Sequence, residues 1–269
     1  LVSALPKDGY LLLNPKDSRV LKSREFAKCE TKEIFVTEII PFRQLLPEHY
    51  NLAFEFAIAI GNIFKISRND SIKLINKNFV LEPGRASIFE GKYNSVLIDS
   101  SYNSSPNALH DLIDFLDLYP KYLKSNTVQL LNYFQNPNLP FERIAILGDM
   151  RELGKNSKME HRLAAENSLY KVDTYFLVGE DMRDYFKPRL IELGFDQSKI
   201  FTKNKVGEIL KDLDNFLKNN LSNKIILIKG SQNTIFLEIA VKFLLKNTED
   251  QKKLCRIGEM WDNKRVKFI

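Results

Sequence analysis

Residues 144–178 read IAILGDMRELGKNSKMEHRLAAENSLYKVDTYFLV. Four apolar residues, 144–147, open the stretch. A polar loop follows, Gly148-Asp149-Met150-Arg151-Glu152-Leu153-Gly154. Residues 157–170 then carry an amphipathic helical pattern, and Tyr175-Phe176-Leu177-Val178 close with a second apolar run. Near-continuous apolar runs suit strands covered on both faces, so the stretch predicts strand, loop, helix and parallel strand. Working outward, residues 95–99 and 225–228 are two more such runs, and helices are predicted over 107–118, 181–193 and 206–218. The last has the cleanest stripe, with Val206, Ile209, Leu210, Leu213, Phe216 and Leu217 on one face. A final, very apolar helix is expected over 235–245. The alternation predicts an α/β fold: a mostly parallel sheet with helices on both faces.

Before Pro83 the pattern differs. Residues 10–13 and 33–40 are rich in apolar and β-forming types and predict short strands. Leu52, Phe56, Ala59, Ile60 and Ile63 recur at helix spacing within 47–65, and a second short helix is expected over 70–76. Leu81-Glu82-Pro83-Gly84-Arg85 breaks the pattern, which places a boundary between domains 1–82 and 83–269.

The chain has 269 residues, a length that suits about two domains, and its 44% hydrophobic content is ample for a buried core. No apolar run approaches the roughly 18 residues of a membrane span. The opening LVSALPKDGY lacks the features of a secretory signal and reads like a chain entered in mid-domain. Cys29 and Cys255 form neither a CxxC pair nor a disulfide framework, which points to a reducing cytoplasm and to buried or idle thiols. The net charge of +6 comes from lysines interleaved with acids along helix faces, and no nucleic-acid-binding motif is present. The densest basic cluster is the tail, KKLCRIGEMWDNKRVKFI, which reads either as a solvated end or as a docking segment.

In an open α/β sheet ligands bind at the carboxyl ends of the strands. Three predicted strands end in polar loops: Asp99-Ser100-Ser101-Tyr102-Asn103-Ser104-Ser105-Pro106, the Gly148 to Gly154 loop, and Lys229-Gly230-Ser231-Gln232-Asn233. Together they would line one rim with carboxylates, an ammonium, hydroxyls and helix starts, a setting for a phosphate-bearing or polar ligand. Helix capping alone accounts for any one of them. Gly148 to Gly154-Lys155-Asn156 is not a phosphate loop. Five residues separate its glycines where four are needed, and Asn156 stands where Ser or Thr belongs. His49, His110 and His161 lack zinc-ligand spacing, and no GxSxG elbow occurs.

These loops resemble motifs of the Mur ligase family, in particular its UDP-N-acetylmuramoyl-tripeptide–D-alanyl-D-alanine ligases (the MurF type). The Asp99 to Pro106 segment is similar to their DDSYNANP. Gly148 to Gly154 with His161 is similar to GDMxELG…H, Lys229-Gly230-Ser231-Gln232 to KGSR, and Pro83-Gly84-Arg85 to PGR. Order and spacing agree over some 160 residues, so the resemblance is to the carboxy-terminal half. Pro6-Lys7-Asp8-Gly9 is more loosely comparable to a PxDG turn of the central domain. The resemblance implies a Rossmann-like carboxy-terminal domain over 83–269, preceded by the end of the ATP-binding central domain over 1–82.

It also implies an ATP-dependent ligation in peptidoglycan precursor synthesis, in the cytoplasm, serving cell shape and division. An acyl phosphate forms on a nucleotide-linked muropeptide, and the amine of D-Ala-D-Ala attacks it. By position, Arg85 and Lys229 would be the catalytic cations, with Arg85 contacting phosphate across the domain boundary. Asp99 and Ser100 would lie near the ribose of ATP, and His49 and Asn51 near its adenine. Tyr102, Asn103, Asp149, Glu152 and Ser231 would bind the dipeptide. ATP and Mg²⁺ would be held mainly by an upstream ATPase portion of the same protein, with the phosphate loop and a carbamylated lysine before Leu1. No partner nucleic acid or membrane span is implied. Three departures stand out: Ser100 replaces an aspartate, Gln232 replaces an arginine, and Tyr50 and Ala53 interrupt the HNxxN pattern. Two other readings stay open: a non-catalytic binding or scaffold module of the same fold, and a related ligase adding one amino acid or polyglutamate.

Overall fold

The computed structural model describes residues 1–232 and 234–268; Asn233, the last residue of the third polar loop, lies outside the described residues. The chain divides into two compact units, Leu1–Val80 and Leu81–Ile269.

In the first unit, β1 (Tyr10–Leu13) is followed by α1 (Ser18–Lys22), whose amides Asp17 caps, and by β2 (Glu30–Glu33), which pairs with β1 in parallel. Two helices complete the unit, α2 (His49–Ile63) and α3 (Arg68–Asn78). Phe54 and Ile58 of α2 bury against Ile40, with Phe42, Tyr50 and Phe79 packed around them. The strand expected over 33–40 is corrected. The ladder starts at Glu30 and ends with the Ile34 N–H donating to the Leu13 carbonyl at 2.9 Å. Beyond Leu13 the partner strand gives way to Asn14-Pro15, so residues 35–40 have no edge to pair with, and Phe35 and Ile39 stay exposed.

The second unit contains β3 (Ser87–Gly91), β4 (Ser95–Ser100), α4 (Pro106–Ser125), α5 (Thr127–Tyr133), β5 (Phe141–Gly148), α6 (Ser157–Ser168) and β6 (Thr174–Val178). It continues through α7 (Lys187–Glu192), β7 (Ile200–Lys203), α8 (Val206–Lys218), β8 (Asn223–Lys229), α9 (Glu238–Leu244) and α10 (Glu259–Arg265). The six strands form one sheet in the order β3-β4-β8-β5-β6-β7, parallel throughout except for β3. Helices α4 and α6 pack together on one face, and α8 and α9 on the other, which is the α/β arrangement with helices on both faces. Every residue of β4, β6 and β8 is buried. The stripe of α8 meets Ile144, Ile146, Phe176, Ile226 and Ile228 in one core. At about 25 cal/mol per Å² of apolar surface removed from water, this burial is the main force holding the layers together.

The sheet has two strands more than the four apolar runs, β3 and β7, both at its edges. Helix α4 runs past its expected end at 118. It passes through Pro120, whose missing N–H costs a helix bond, because Tyr119, Pro120 and Leu123 are all buried there. The helix expected over 181–193 is split into a π-turn over Met182–Phe186 and then α7. The helix expected over 235–245 shortens to α9, since Phe236 takes a left-handed φ of 49° that no helix accepts.

Candidate functional site

Parallel pairing sets Ser100 opposite Lys229, and Lys229 opposite Leu147. The carboxyl ends of β4, β8 and β5 therefore lie side by side. The loop after β8 leads to one face of the sheet and those after β4 and β5 to the other. A crevice opens where neighbouring loops part in this way. It is a cleft of about 370 Å³ lined by Asn103, Ser104 and Ser105 from the β4 loop, Arg151, Glu152 and Leu153 from the β5 loop, and Gln232 and Thr234.

The loops are tied to one another beneath the cleft. The Ser231 hydroxyl accepts from the Arg151 N–H at 2.8 Å and donates to the Ser104 carbonyl at 3.3 Å. The Lys229 ammonium, itself buried, donates to the Asn103 carbonyl at 2.8 Å. Desolvation pulls its pKa down to about 8, and the nearby Arg85 charge acts in the same direction. The Asp149 carboxylate points away to the loop after β6, where it accepts from the Glu180 N–H at 3.1 Å and the Met182 N–H at 2.9 Å. Burial raises its pKa. Gly179, with φ 115°, lies so close that an added Cβ would sit 2.3 Å from the Asp149 carboxyl carbon; only glycine fits there. Glu152 stands exposed at the loop tip with a φ of 65°.

His161 is fully buried at the start of α6 and pins this loop. The Met150 N–H donates to its Nε2 at 3.0 Å. A backbone N–H can only donate, so Nε2 is unprotonated and Nδ1 carries the proton, directed at the Ser157 carbonyl 2.8 Å away.

Pro83-Gly84-Arg85 docks on the β4 loop. The Tyr102 N–H donates to the Gly84 carbonyl at 3.2 Å, and the Arg85 guanidinium lies 4.8 Å from the Tyr102 ring centre. Gly84 has φ 71°, and a Cβ there would press on Tyr102 and the Cys255 thiol. A second guanidinium, that of Arg256, lies 5.3 Å from the same ring. Asp99 has no exposed surface and so offers none to a ribose in this structure. Its Oδ1 accepts from the Ser101 N–H at 3.0 Å, its Oδ2 has no partner among the described residues, and desolvation pushes its pKa up to about 6. Ser100 is buried beside it.

The structure thus brings Arg85, Tyr102, Asn103, Asp149, Glu152, Lys229 and Ser231 together around the carboxyl ends of neighbouring strands of one sheet. His49 and Asn51 belong to the other unit, where they begin α2 and the Asn51 Oδ1 accepts from the Ile40 N–H at 3.3 Å. The sequence reading named His161 only as part of a motif and gave no role to Glu238, Arg256 or Arg265. The basic cluster in the tail was the one signal for the two arginines.

No family model matches the chain. It is 29% identical over 209 residues to the UDP-N-acetylmuramoyl-tripeptide–D-alanyl-D-alanine ligase of Buchnera aphidicola subsp. Acyrthosiphon pisum, covering 76% of this chain and 36% of that protein. It is 26% identical over 208 residues to the Escherichia coli K12 enzyme of the same name, covering 75% and 38%. The match therefore spans little more than a third of these curated relatives. Among solved structures, MurF from Acinetobacter baumannii aligns with a TM-score of 0.65 at 21% identity over 89% of this chain and 52% of that one. The MurF ligase of Thermotoga maritima, in complex with ADP, aligns with a TM-score of 0.63 at 15% identity over 93% and 55%. In sequence and in fold, this chain is similar to a part of the MurF-type Mur ligases, which join D-alanyl-D-alanine to a UDP-N-acetylmuramoyl tripeptide.

Proposed function

We propose that the chain is the dipeptide-presenting part of an ATP-dependent ligase that adds D-Ala-D-Ala to a UDP-linked muramoyl tripeptide in peptidoglycan precursor synthesis. The cleft at the carboxyl ends of β4, β8 and β5 carries this reading. Helix α4 begins beside it, with Ser105 as its N-cap in the cleft wall, Pro106 at its first position and no side-chain cap bond, so the Asn107 and Ala108 amides have no intrahelical acceptor. The Ser104 hydroxyl, buried in the cleft wall, has no partner among the described residues, and Arg151 adds a cation. A helix start with hydroxyls and a guanidinium suits a small carboxylate. Seating the dipeptide's carboxylate there leaves its amine free to be held by Glu152 or the Asn103 side chain. Amide formation needs that amine aimed at an activated carboxyl carbon, and most of the gain from such positioning is entropic.

The residues present do not fit Mg²⁺-ATP by themselves. The sequence has no phosphate loop, and among the described residues no three His, Cys, Asp or Glu side chains gather to hold a metal. Activation of the tripeptide carboxyl as an acyl phosphate is assigned to residues outside this sequence, with unit 1 as the end of an ATP-binding domain. Arg85 would bring positive charge to the phosphoryl oxygens from unit 2.

The test is a titration of the chain with D-Ala-D-Ala, followed by backbone amide resonances. Shifts are expected at Ser104, Ser105, Asn107, Ala108 and Arg151, and not with L-Ala-L-Ala. A titration that leaves these amides unmoved sinks the reading. In a ligase assay that supplies the ATP-binding portion, Arg85→Ala is expected to lower turnover about a hundredfold with little change in melting temperature; equal turnover removes the role given to Arg85. A second reading, a non-catalytic binding module, draws on the burial of Asp99 and on Ser100 and Gln232. It differs by keeping the dipeptide shifts while showing no turnover in that assay.

A further inference from the structure

Much of the tail is exposed, yet it is anchored at four residues. Leu254, Cys255, Arg256 and Arg265 are buried, and the segment holds two separate parts of unit 2 at once. The Arg256 guanidinium donates to a Glu238 oxygen at 2.8 Å, to the Ser101 carbonyl at 3.4 Å and to the Tyr102 carbonyl. Arg265 reaches the other Glu238 oxygen at 3.3 Å and also donates to the Arg256 carbonyl. The Cys255 thiol lies 3.6 Å from the Ser101 hydroxyl. One carboxylate and two guanidiniums, all at least nine-tenths buried, thus clamp the start of α9 to the β4 loop. A buried ionic group of this kind costs desolvation, which only its hydrogen bonds offset. The grip falls on the carbonyls of residues 101 and 102, immediately before Asn103, where the cleft wall begins.

We infer that residues 254–265 form a strap, and that Arg256 is a positioning residue that sets the β4 loop for the ligand of the cleft. This rests on the proposed dipeptide site. Arg256 touches no cleft surface itself; it acts by fixing two peptide units of the loop, and a flat, forked guanidinium suits two adjacent carbonyls in a way that an ammonium does not. Docking of the strap and occupancy of the cleft are then linked, each favouring the other by the same factor. Trp261, the single tryptophan of the chain, lies in the strap 5.9 Å from the Arg256 guanidinium and reports on docking.

The experiment compares D-Ala-D-Ala affinity, Trp261 quenching by acrylamide and melting temperature across three proteins: the wild-type chain, Arg256→Lys, and the pair Glu238→Gln with Arg256→Met. Arg256→Lys keeps a cation for Glu238 but not the fork. It is expected to stay folded, bind the dipeptide about tenfold more weakly, the equivalent of one lost hydrogen bond, and expose Trp261. The pair removes two of the three buried charges and leaves Arg265 its bonds to Asp262 and the Arg256 carbonyl, with the amide oxygen introduced at position 238 still able to accept from it. It is expected to recover the melting temperature while affinity stays weak, because nothing then holds the two carbonyls. A strap that merely supports the fold would restore affinity together with stability, and that result overturns the inference, as does unchanged affinity in Arg256→Lys. Should the wild-type chain bind no dipeptide, the proposed function falls first. Amide exchange at Ser101 and Tyr102 then judges the strap: faster exchange in Arg256→Lys sustains it, and unchanged exchange ends it.

Discussion

Asp99 is the penultimate residue of β4, a strand buried on both faces, with one carboxylate oxygen bonded to the Ser101 N–H and the other bonded to nothing among the described residues. Its ordinary pKa of 3.8 is pushed up to about 6 by loss of water. An acid shifted upward holds its proton more tightly folded than unfolded. Between those two values the native state binds more protons than the unfolded chain. Stability from this group is therefore greatest at low pH, falls as pH rises from about 4 to 6, and is level above that. The gap corresponds to about 3 kcal/mol. Asp99→Asn removes the titration, so the difference in unfolding free energy between variant and wild type should grow across that window in the variant's favour. Denaturant titrations at stepped pH check this, and a difference constant from pH 4 to 7 refutes it. Ser231 makes a simpler case. Its hydroxyl serves the Arg151 N–H and the Ser104 carbonyl at once, so Ser231→Ala leaves a buried donor and acceptor unmatched. A loss of about 1–3 kcal/mol is expected, and a loss under about 0.5 kcal/mol, the ordinary scatter of harmless substitutions, contradicts the tie.

Between elements, the joint of β5 and α6 depends on one imidazole. His161 accepts from the Met150 N–H and directs its other nitrogen at the Ser157 carbonyl, so it joins a strand end to a helix start. Gln carries an oxygen at a reach similar to Nε2, whereas Ala carries none. His161→Ala is expected to lose about 2 kcal/mol or more through an unpaired buried amide and a cavity, and His161→Gln roughly half as much. Equal losses in both variants, measured by chemical denaturation, would show that the volume of the ring matters and the hydrogen bond does not. This joint also marks how far the sequence is legible. Strands β4, β5, β6 and β8 announce themselves because both faces are covered, which demands unbroken apolar runs. Ser87-Ile88-Phe89-Glu90-Gly91 and Ile200-Phe201-Thr202-Lys203 sit at sheet edges, where one face or side is wet, and their mixed composition passes for loop. The three site loops were legible because parallel strands deliver their carboxyl ends to one rim. Where each side chain turns was not: Asp149 serves Glu180 and Met182, partners some thirty residues away, and no local pattern encodes that.

At the scale of the molecule, the same limit applies to the tail. Glu238, Arg256 and Arg265 read as ordinary surface charges until folding brings them together and buries all three. Every group tied to the cleft, from Pro83-Gly84-Arg85 through the β4, β5 and β8 loops to the strap, belongs to Leu81–Ile269. That unit has its own sheet, helices on both faces and a continuous core, and at 189 residues it is large enough to bury one unaided. Residues 81–269 made as a separate chain should therefore fold cooperatively. They should bind D-Ala-D-Ala within about twofold of the affinity of the 269-residue protein, since the helix start, Ser104 and Arg151 are all retained. The comparison needs only thermal melts and dipeptide titrations of the two chains side by side. A shortened chain that folds but binds more than about tenfold more weakly, a difference of 1.4 kcal/mol, would mean that unit 1 supplies part of the seat, and the cleft would no longer account for dipeptide binding by itself.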